Sequence, residues 1–165
     1  MKIIFYTLIL LAFQNSLISC KGKQGNTTED NFTQNKESFM ATMQKHLDAV
    51  SNRDLIALKS TMAPNGKMQL ILPKTEIIQG VEEFMEYHRV WFKDSLWTFE
   101  TNILNTEIGH KFGMVITEII YREPERNGQP YFNRMIVSYD LEKINGKWYI
   151  IKDHASSIEK STEME

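Results

Sequence analysis

Between residues 32 and 52 the apolar positions Phe39, Met40, Met43, Leu47 and Val50 recur at intervals of three and four, the stripe of an amphipathic helix. Asp54 is placed to cap a short second helix carrying Leu55, Leu58 and Met62, which Pro64-Asn65-Gly66 stops. Residues 68–72 and 75–78 are short strand candidates on either side of Pro73. Gly80 introduces a third helix, on which Val81, Phe84, Met85, His88, Trp91, Phe92 and Ser95 share one face.

From Trp97 onward the period changes to two. Four β-rich runs cover residues 97–107, 112–123, 131–143 and 147–157, with turn signals at Gly109-His110, Asn127-Gly128 and Asn145-Gly146. Both central residues of a type I′ hairpin turn need positive φ, so the two Asn-Gly pairs predict tight hairpins and a meander. If every turn has two residues, counting back sets Leu141 against Ile150, Tyr139 against Lys152, Val137 against His154, Glu118 against Val137 and Thr101 against Glu118. One face then collects Trp97, Phe99, Ile103, Met114, Ile116, Ile120, Met135, Val137, Leu141, Trp148 and Ile150, and is expected to be the core face. The other carries Thr98, Glu100, Asn102, Thr117, Tyr121, Arg134, Ser138, Asp140, Tyr149 and Asp153, and is expected to meet water or a second subunit.

That count also places Thr101, Glu118, Tyr139, Lys152 and His154 among the core residues, and the third helix adds His88. Ionisable groups buried without partners cost several kcal/mol, so such a cluster implies mutual pairing, a wet cavity or both. With Trp91, Trp97 and Trp148 as apolar walls, these residues form the candidate ligand pocket. Glu118 and His154 are the candidate proton-transfer groups, since a carboxylate beside apolar groups or a neutral histidine can act as acid or base. His88, Glu118 and His154 are suitable metal-ligand types, but no HxH or HExxH spacing connects them, and neither metal nor other cofactor is expected. No nucleophile elbow or phosphate loop occurs.

Composition narrows the partners. The 165 residues are 42% hydrophobic and 24% charged, which suits one globular domain. A formal charge of −2 without a basic patch gives no nucleic-acid surface. The single Cys20 excludes an internal disulfide framework. It follows Lys2 and an apolar run over residues 3–13, a length that suits a secretory segment better than a membrane-spanning helix.

Leu17-Ile18-Ser19-Cys20 resembles the lipobox of bacterial lipoproteins, which implies cleavage before Cys20 and lipidation of it. Residues 1–19 are then a lipoprotein signal peptide, and residues 20–30 a polar, glycine-containing tether. Residues 31–160 are the folded domain and residues 161–165 a C-terminal tail. The expected address is the bacterial cell envelope, with a membrane held through the lipid.

Three helices followed by a meander ending in Asn145-Gly146-Lys147-Trp148 and His154-Ala155-Ser156 resemble the nuclear transport factor 2-like superfamily, especially its SnoaL-like branch. The resemblance also rests on residues 48–55 and on the Gly80-Val81-Glu82-Glu83-Phe84 start of the third helix. It implies an α+β, cystatin-like cone: a curved antiparallel sheet wrapped around the helices, with a pocket between them and dimerisation often through the outer sheet face. The chain's end is also similar to the association domain of calcium/calmodulin-dependent kinase II. There, residues at the positions of Tyr139 and His154 look towards the pocket, an arginine standing where this chain has Tyr139. The superfamily includes isomerases, dehydratases, cyclases and scaffold domains, so three readings stay open. One is a small-molecule-binding domain, one a small isomerase, dehydratase or hydrolase using Glu118 or His154, and one a homodimeric interaction module.

Overall fold

The computed structural model describes residues 27–161. The apolar leader, Leu17-Ile18-Ser19-Cys20, most of the tether and all but the first residue of the tail lie outside the described residues. The elements run α1 (Thr27–Ser51), α2 (Leu55–Ser60), β1 (Gln69–Ile71), β2 (Ile77–Gln79), α3 (Val81–Trp91), β3 (Thr98–Ile108), β4 (Phe112–Arg126), β5 (Gln129–Ile144) and β6 (Lys147–Lys160). The six strands form one curved, open sheet in the order β2-β1-β6-β5-β4-β3, antiparallel except where β1 joins β6. The fold is α+β, with the helices against the inner face. Helix α1 starts at Thr27, about three turns before Phe39 opens its apolar stripe and inside the segment expected to be tether.

The helices form where the three-and-four spacing places them. Phe39, Met43, Leu47 and Val50 of α1 are buried, and Phe39 meets Trp148 of β6 edge-on at 5.0 Å between ring centroids. Asp54 caps α2, its carboxylate accepting the backbone N–H groups of Ile56 and Ala57 at 2.9 Å. The chain leaves α1 through Arg53 in the left-handed region (φ 57°). Its guanidinium donates to the carbonyls of Asp94, Ser95 and Trp97 and lies 3.7 Å from the centre of the Trp97 ring. This clamp ties the end of α1 to the connection between α3 and β3.

Both Asn-Gly pairs adopt positive φ at both residues, and the pairing beside each turn is the one counted from sequence: Arg126 with Gln129, Lys143 with Trp148 and Leu141 with Ile150. Away from the turns, irregularities in the ladders change the register. Pro124 has no N–H to give the ladder, and the β4–β5 pairing slips by one between Glu123 and Arg126. Every residue of β4 beyond that point is therefore inverted. Val115, Thr117, Ile119 and Tyr121 face inward, while Met114, Ile116, Glu118 and Ile120 lie on the outer face, against expectation.

On β6, Ile151 is the extra residue in a bulge opposite Asp140 and Leu141. Beyond it Tyr139 pairs with Asp153 and Val137 with Ala155, so Lys152 and His154 turn outward and Asp153 inward. The first hairpin turns one residue later than counted: Ile108 pairs with Gly113, and the Gly109 N–H donates to the Phe112 carbonyl at 2.9 Å, which puts His110 and Lys111 at the tip. A further shift at Leu104 sets Phe99 against Tyr121 and Ile103 against Thr117. Thr117 is fully buried, and its hydroxyl donates to the Val137 carbonyl at 3.1 Å.

Candidate functional site

A cavity of about 440 Å³ opens between α3, β1 and the concave face of the sheet. Helix α3 contributes Tyr87, His88 and Trp91, which lie on its inward stripe at spacings of three and four. The sheet contributes Phe99, Ile119, Tyr121, Met135, Val137, Tyr139, Asp153 and Ala155. Leu70, Leu72 and Pro73 close one side, and Val50 reaches in from α1. Towards the β4–β5 hairpin the lining becomes polar, with Glu123, Arg126, Tyr131 and Asn133, and Asp94 adds a further carboxylate from beyond α3. Size and lining match small-molecule sites, which are mostly apolar with a few placed polar groups.

At the closed end, Tyr139 and Asp153 are directly opposite on neighbouring strands, which sets their β-carbons about 5 Å apart. Asp153 is partly exposed, its carboxyl lines the cavity, and burial pushes its pKa up to about 7. Among the described residues no hydrogen bond or ion pair reaches that carboxylate. Burial, and then the charge of Asp153, hold the Tyr139 phenol well above its ordinary value, so it stays protonated. The same two causes, with Glu76 behind them, raise Tyr87.

His88 is buried, and its Nδ1–H donates to the Phe84 carbonyl at 2.8 Å, which leaves Nε2 as the acceptor nitrogen. Burial lowers its pKa to about 4, against a smaller opposing effect of that carbonyl. Behind Tyr139, ring to ring at 5.4 Å, sits the buried His46. The Thr61 hydroxyl donates to the Leu58 carbonyl at 2.7 Å, so at 3.0 Å it accepts from His46 Nδ1–H. Among the described residues His46 Nε2 has no partner, and burial, helped by His88, lowers the pKa to about 3. The closed end thus presents a carboxyl that changes protonation near neutrality, a phenol donor and a neutral imidazole.

At the hairpin end, Tyr121 donates to Glu123 at 2.6 Å, and Arg126 grips the same carboxylate through both Nε and Nη2. Arg126 also lies 3.4 Å over the Tyr131 ring. Hydrogen bonds from Arg126 hold Glu123 below the usual carboxylate range, while burial and the bond to Glu123 raise Tyr121. Between the two ends, Trp91 stacks on Trp97 at 4.5 Å with planes 16° apart. The Arg53 clamp therefore fixes one wall of the cavity from behind.

Of the residues singled out from sequence, His88, Trp91 and Tyr139 line the cavity. Trp97 is buried behind Trp91, Trp148 packs in the core against Phe39, and Thr101 faces inward on β3 away from the cavity. Glu118, Lys152 and His154 are on the outer face. Glu118 accepts from Arg134 at 3.0 Å, Lys152 pairs with Asp140 at 3.3 Å, and His154 is exposed. Sequence counting missed Tyr87, Tyr121, Glu123, Arg126, Asn133 and above all Asp153. Pro124, immediately after the second β-rich run, and the adjacent Ile150-Ile151 pair were the available signals of a changed phase. Among the described residues no group of three His, Cys, Asp or Glu is arranged to hold a metal ion.

Solved structures share this architecture. A ketosteroid isomerase-like protein from Erwinia carotovora atroseptica aligns with a TM-score of 0.63 at 17% identity, over 74% of this chain and 95% of that one. A protein named as a dehydratase of the NTF2-like family, from Streptomyces avermitilis, aligns with a TM-score of 0.64 at 12% identity, over 76% and 97%. The association domain of C. elegans CaMKII aligns with a TM-score of 0.57 at 23% identity, over 77% and 98%. At these identities the likeness shows the fold alone. No curated protein matches this chain in sequence. The SnoaL-like domain, however, matches residues 40–159, which span the inward stripe of α1 beyond Phe39, all of α3 and the meander that encloses the cavity. By that match the chain belongs to the SnoaL-like domain family.

Proposed function

We propose that this chain is a lipid-anchored protein of the bacterial cell envelope whose SnoaL-like domain binds a small, partly apolar molecule in the cone cavity. The observation that carries the binding reading is Asp153, a cavity carboxyl opposite Tyr139 to which no described residue offers a hydrogen bond or ion pair, in an otherwise largely aromatic and aliphatic cavity. An enclosed polar group lowers protein stability unless something completes its contacts, and a ligand can do so. A thermal-shift screen of small apolar amines, ketones, alcohols and acids tests the reading, because a ligand of the folded state raises its apparent stability. Compounds that stabilise the parent protein are expected to lose their effect on Ala155→Phe, which fills the cavity, and to keep it on His154→Ala, on the outer face. Effects that survive Ala155→Phe would refute it.

A second reading is favoured by one observation: Asp153 changes protonation close to neutrality, as an acid or base in an isomerase or dehydratase must. In this reading Asp153 takes the proton and Tyr139 donates to the substrate oxygen, roles that Glu118 and His154 cannot fill from the outer face. Ketones that bind the cavity should then exchange an α-proton in deuterium oxide with the parent protein and not with Asp153→Asn. Absence of exchange across all cavity-binding ketones would sink the catalytic reading and leave the binding one intact.

The anchor is proposed from Leu17-Ile18-Ser19-Cys20 and the apolar run before it. Labelled palmitate should enter the full chain in cells and be lost on Cys20→Ser. Unlabelled parent protein would contradict the address. Homodimerisation through the outer sheet face is part of the same proposal, supported by exposed Leu104 and Met114 there and by a fold shared with an association domain. Light scattering that gives a monomer at micromolar concentration would count against it.

A further inference from the structure

The cavity's lining is unbalanced in charge. Among the described residues that line it, Asp94, Glu123 and Asp153 supply three carboxyls, and Arg126 supplies the one permanent cation. Arg126 is engaged by Glu123, while among the described residues no hydrogen bond or ion pair engages Asp153. Lys152, its neighbour in sequence, points to the opposite face and pairs with Asp140. What surrounds the enclosed carboxyl is aromatic: Tyr139 across the ladder, with Tyr87 and Trp91 on the facing helix. An ionised carboxylate in such a place repels an anion, gains little from a neutral apolar body and gains most from a cation. Aromatic faces attract cations as well, through their quadrupoles, and do so more strongly where water is sparse.

Building on the binding reading above, we infer that the ligand is an organic cation, an amine whose ammonium group pairs with Asp153 while its flat apolar body lies against Trp91. The Glu123–Arg126 pair at the hairpin end is self-neutralised and places no second charge requirement on the ligand. Three probes of one shape separate the possibilities: 2-naphthylmethylamine, 2-naphthylmethanol and 2-naphthoate, each titrated calorimetrically into the full chain at pH 8. The amine is expected to bind about tenfold more tightly than the alcohol, with the carboxylate weakest. In Asp153→Asn the amine should lose that preference while the alcohol keeps its affinity.

An alcohol that binds as tightly as the amine, or an amine preference that survives Asp153→Asn, would overturn the cation and leave the binding reading standing. Failure of all three probes at millimolar concentration would overturn both.

Discussion

Asp153→Asn keeps the shape of the side chain and removes its charge, so its effect on stability measures how the cavity treats that charge. The carboxyl titrates at about 7 in the fold against 3.8 without it. A raised folded-state value means the protonated carboxyl is favoured by folding. That contribution is complete below the unfolded value and is lost as pH rises through about 7. Three pH units correspond to roughly 4 kcal/mol at pH 8, a ceiling, because water reaches the cavity, and about 2 kcal/mol is the expected net cost of the ionised parent residue. Asp153→Asn should therefore be more stable than the parent at pH 8 by about 2 kcal/mol, a rise in Tm of roughly 4–8 °C. At pH 4, where the parent carboxyl carries its proton, the two proteins should be equal. Urea unfolding at pH 4, 6 and 8 supplies the numbers. A variant less stable than the parent at pH 8 would refute the reasoning, since it would mean that Asp153 has a partner in the folded protein.

The buried histidines act in the opposite direction. His46 and His88 titrate at about 3 and about 4 in the fold, so stability complete above 6.5 should fall as pH drops towards those values, by up to about 1.4 kcal/mol per pH unit for each. His46→Phe should flatten that fall in urea unfolding, and an unchanged slope would contradict the burial of His46. At Gly113 an added β-carbon would lie 2.5 Å from Phe39 Cε2 and 2.9 Å from the Glu107 carbonyl oxygen. Gly113→Ala should cost about 2 kcal/mol by denaturant unfolding, and a neutral result would show that Phe39 does not pack there. Arg53→Lys removes the planar fork that meets three carbonyls and stacks on Trp97. A loss of about 2 kcal/mol, with weakened binding of any cavity ligand, is expected because Trp91 rests on Trp97.

The helices and hairpins were legible because their signals are local. The inward stripe of α1 repeats at three and four, Asp54 caps, and each Asn-Gly pair takes the two positive φ values its turn needs. The site was less legible because it depends on accumulated phase. Bulges near Pro124, Leu104 and Ile151 each move a strand by one residue, and one residue exchanges the two faces. Apolar residues could not expose the error on β4, since Ile116 and Ile120 on one face alternate with Val115 and Ile119 on the other. On β5 only one face is apolar, and Met135, Val137, Tyr139 and Leu141 face inward as counted. The end of β6 shows the consequence. The histidine that draws the eye in Lys152-Asp153-His154 is exposed, and the aspartate between the two bases enters the cavity.

The central claim is that a ligand meets this protein inside the cone, beside Asp153, and not on the outer sheet face. Methyl NMR of the full chain, titrated with whichever naphthyl probe binds most tightly, tests this directly, because ring-current shifts report only nearby methyl groups. The account predicts shifts at Ile119, Met135, Val137 and Ala155, which line the cavity, and none at Ile116, Ile120 and Ile136 on the opposite face. Shifts at Ile116 and Ile120 with Ile119 unmoved would contradict both the site and the register on which it rests.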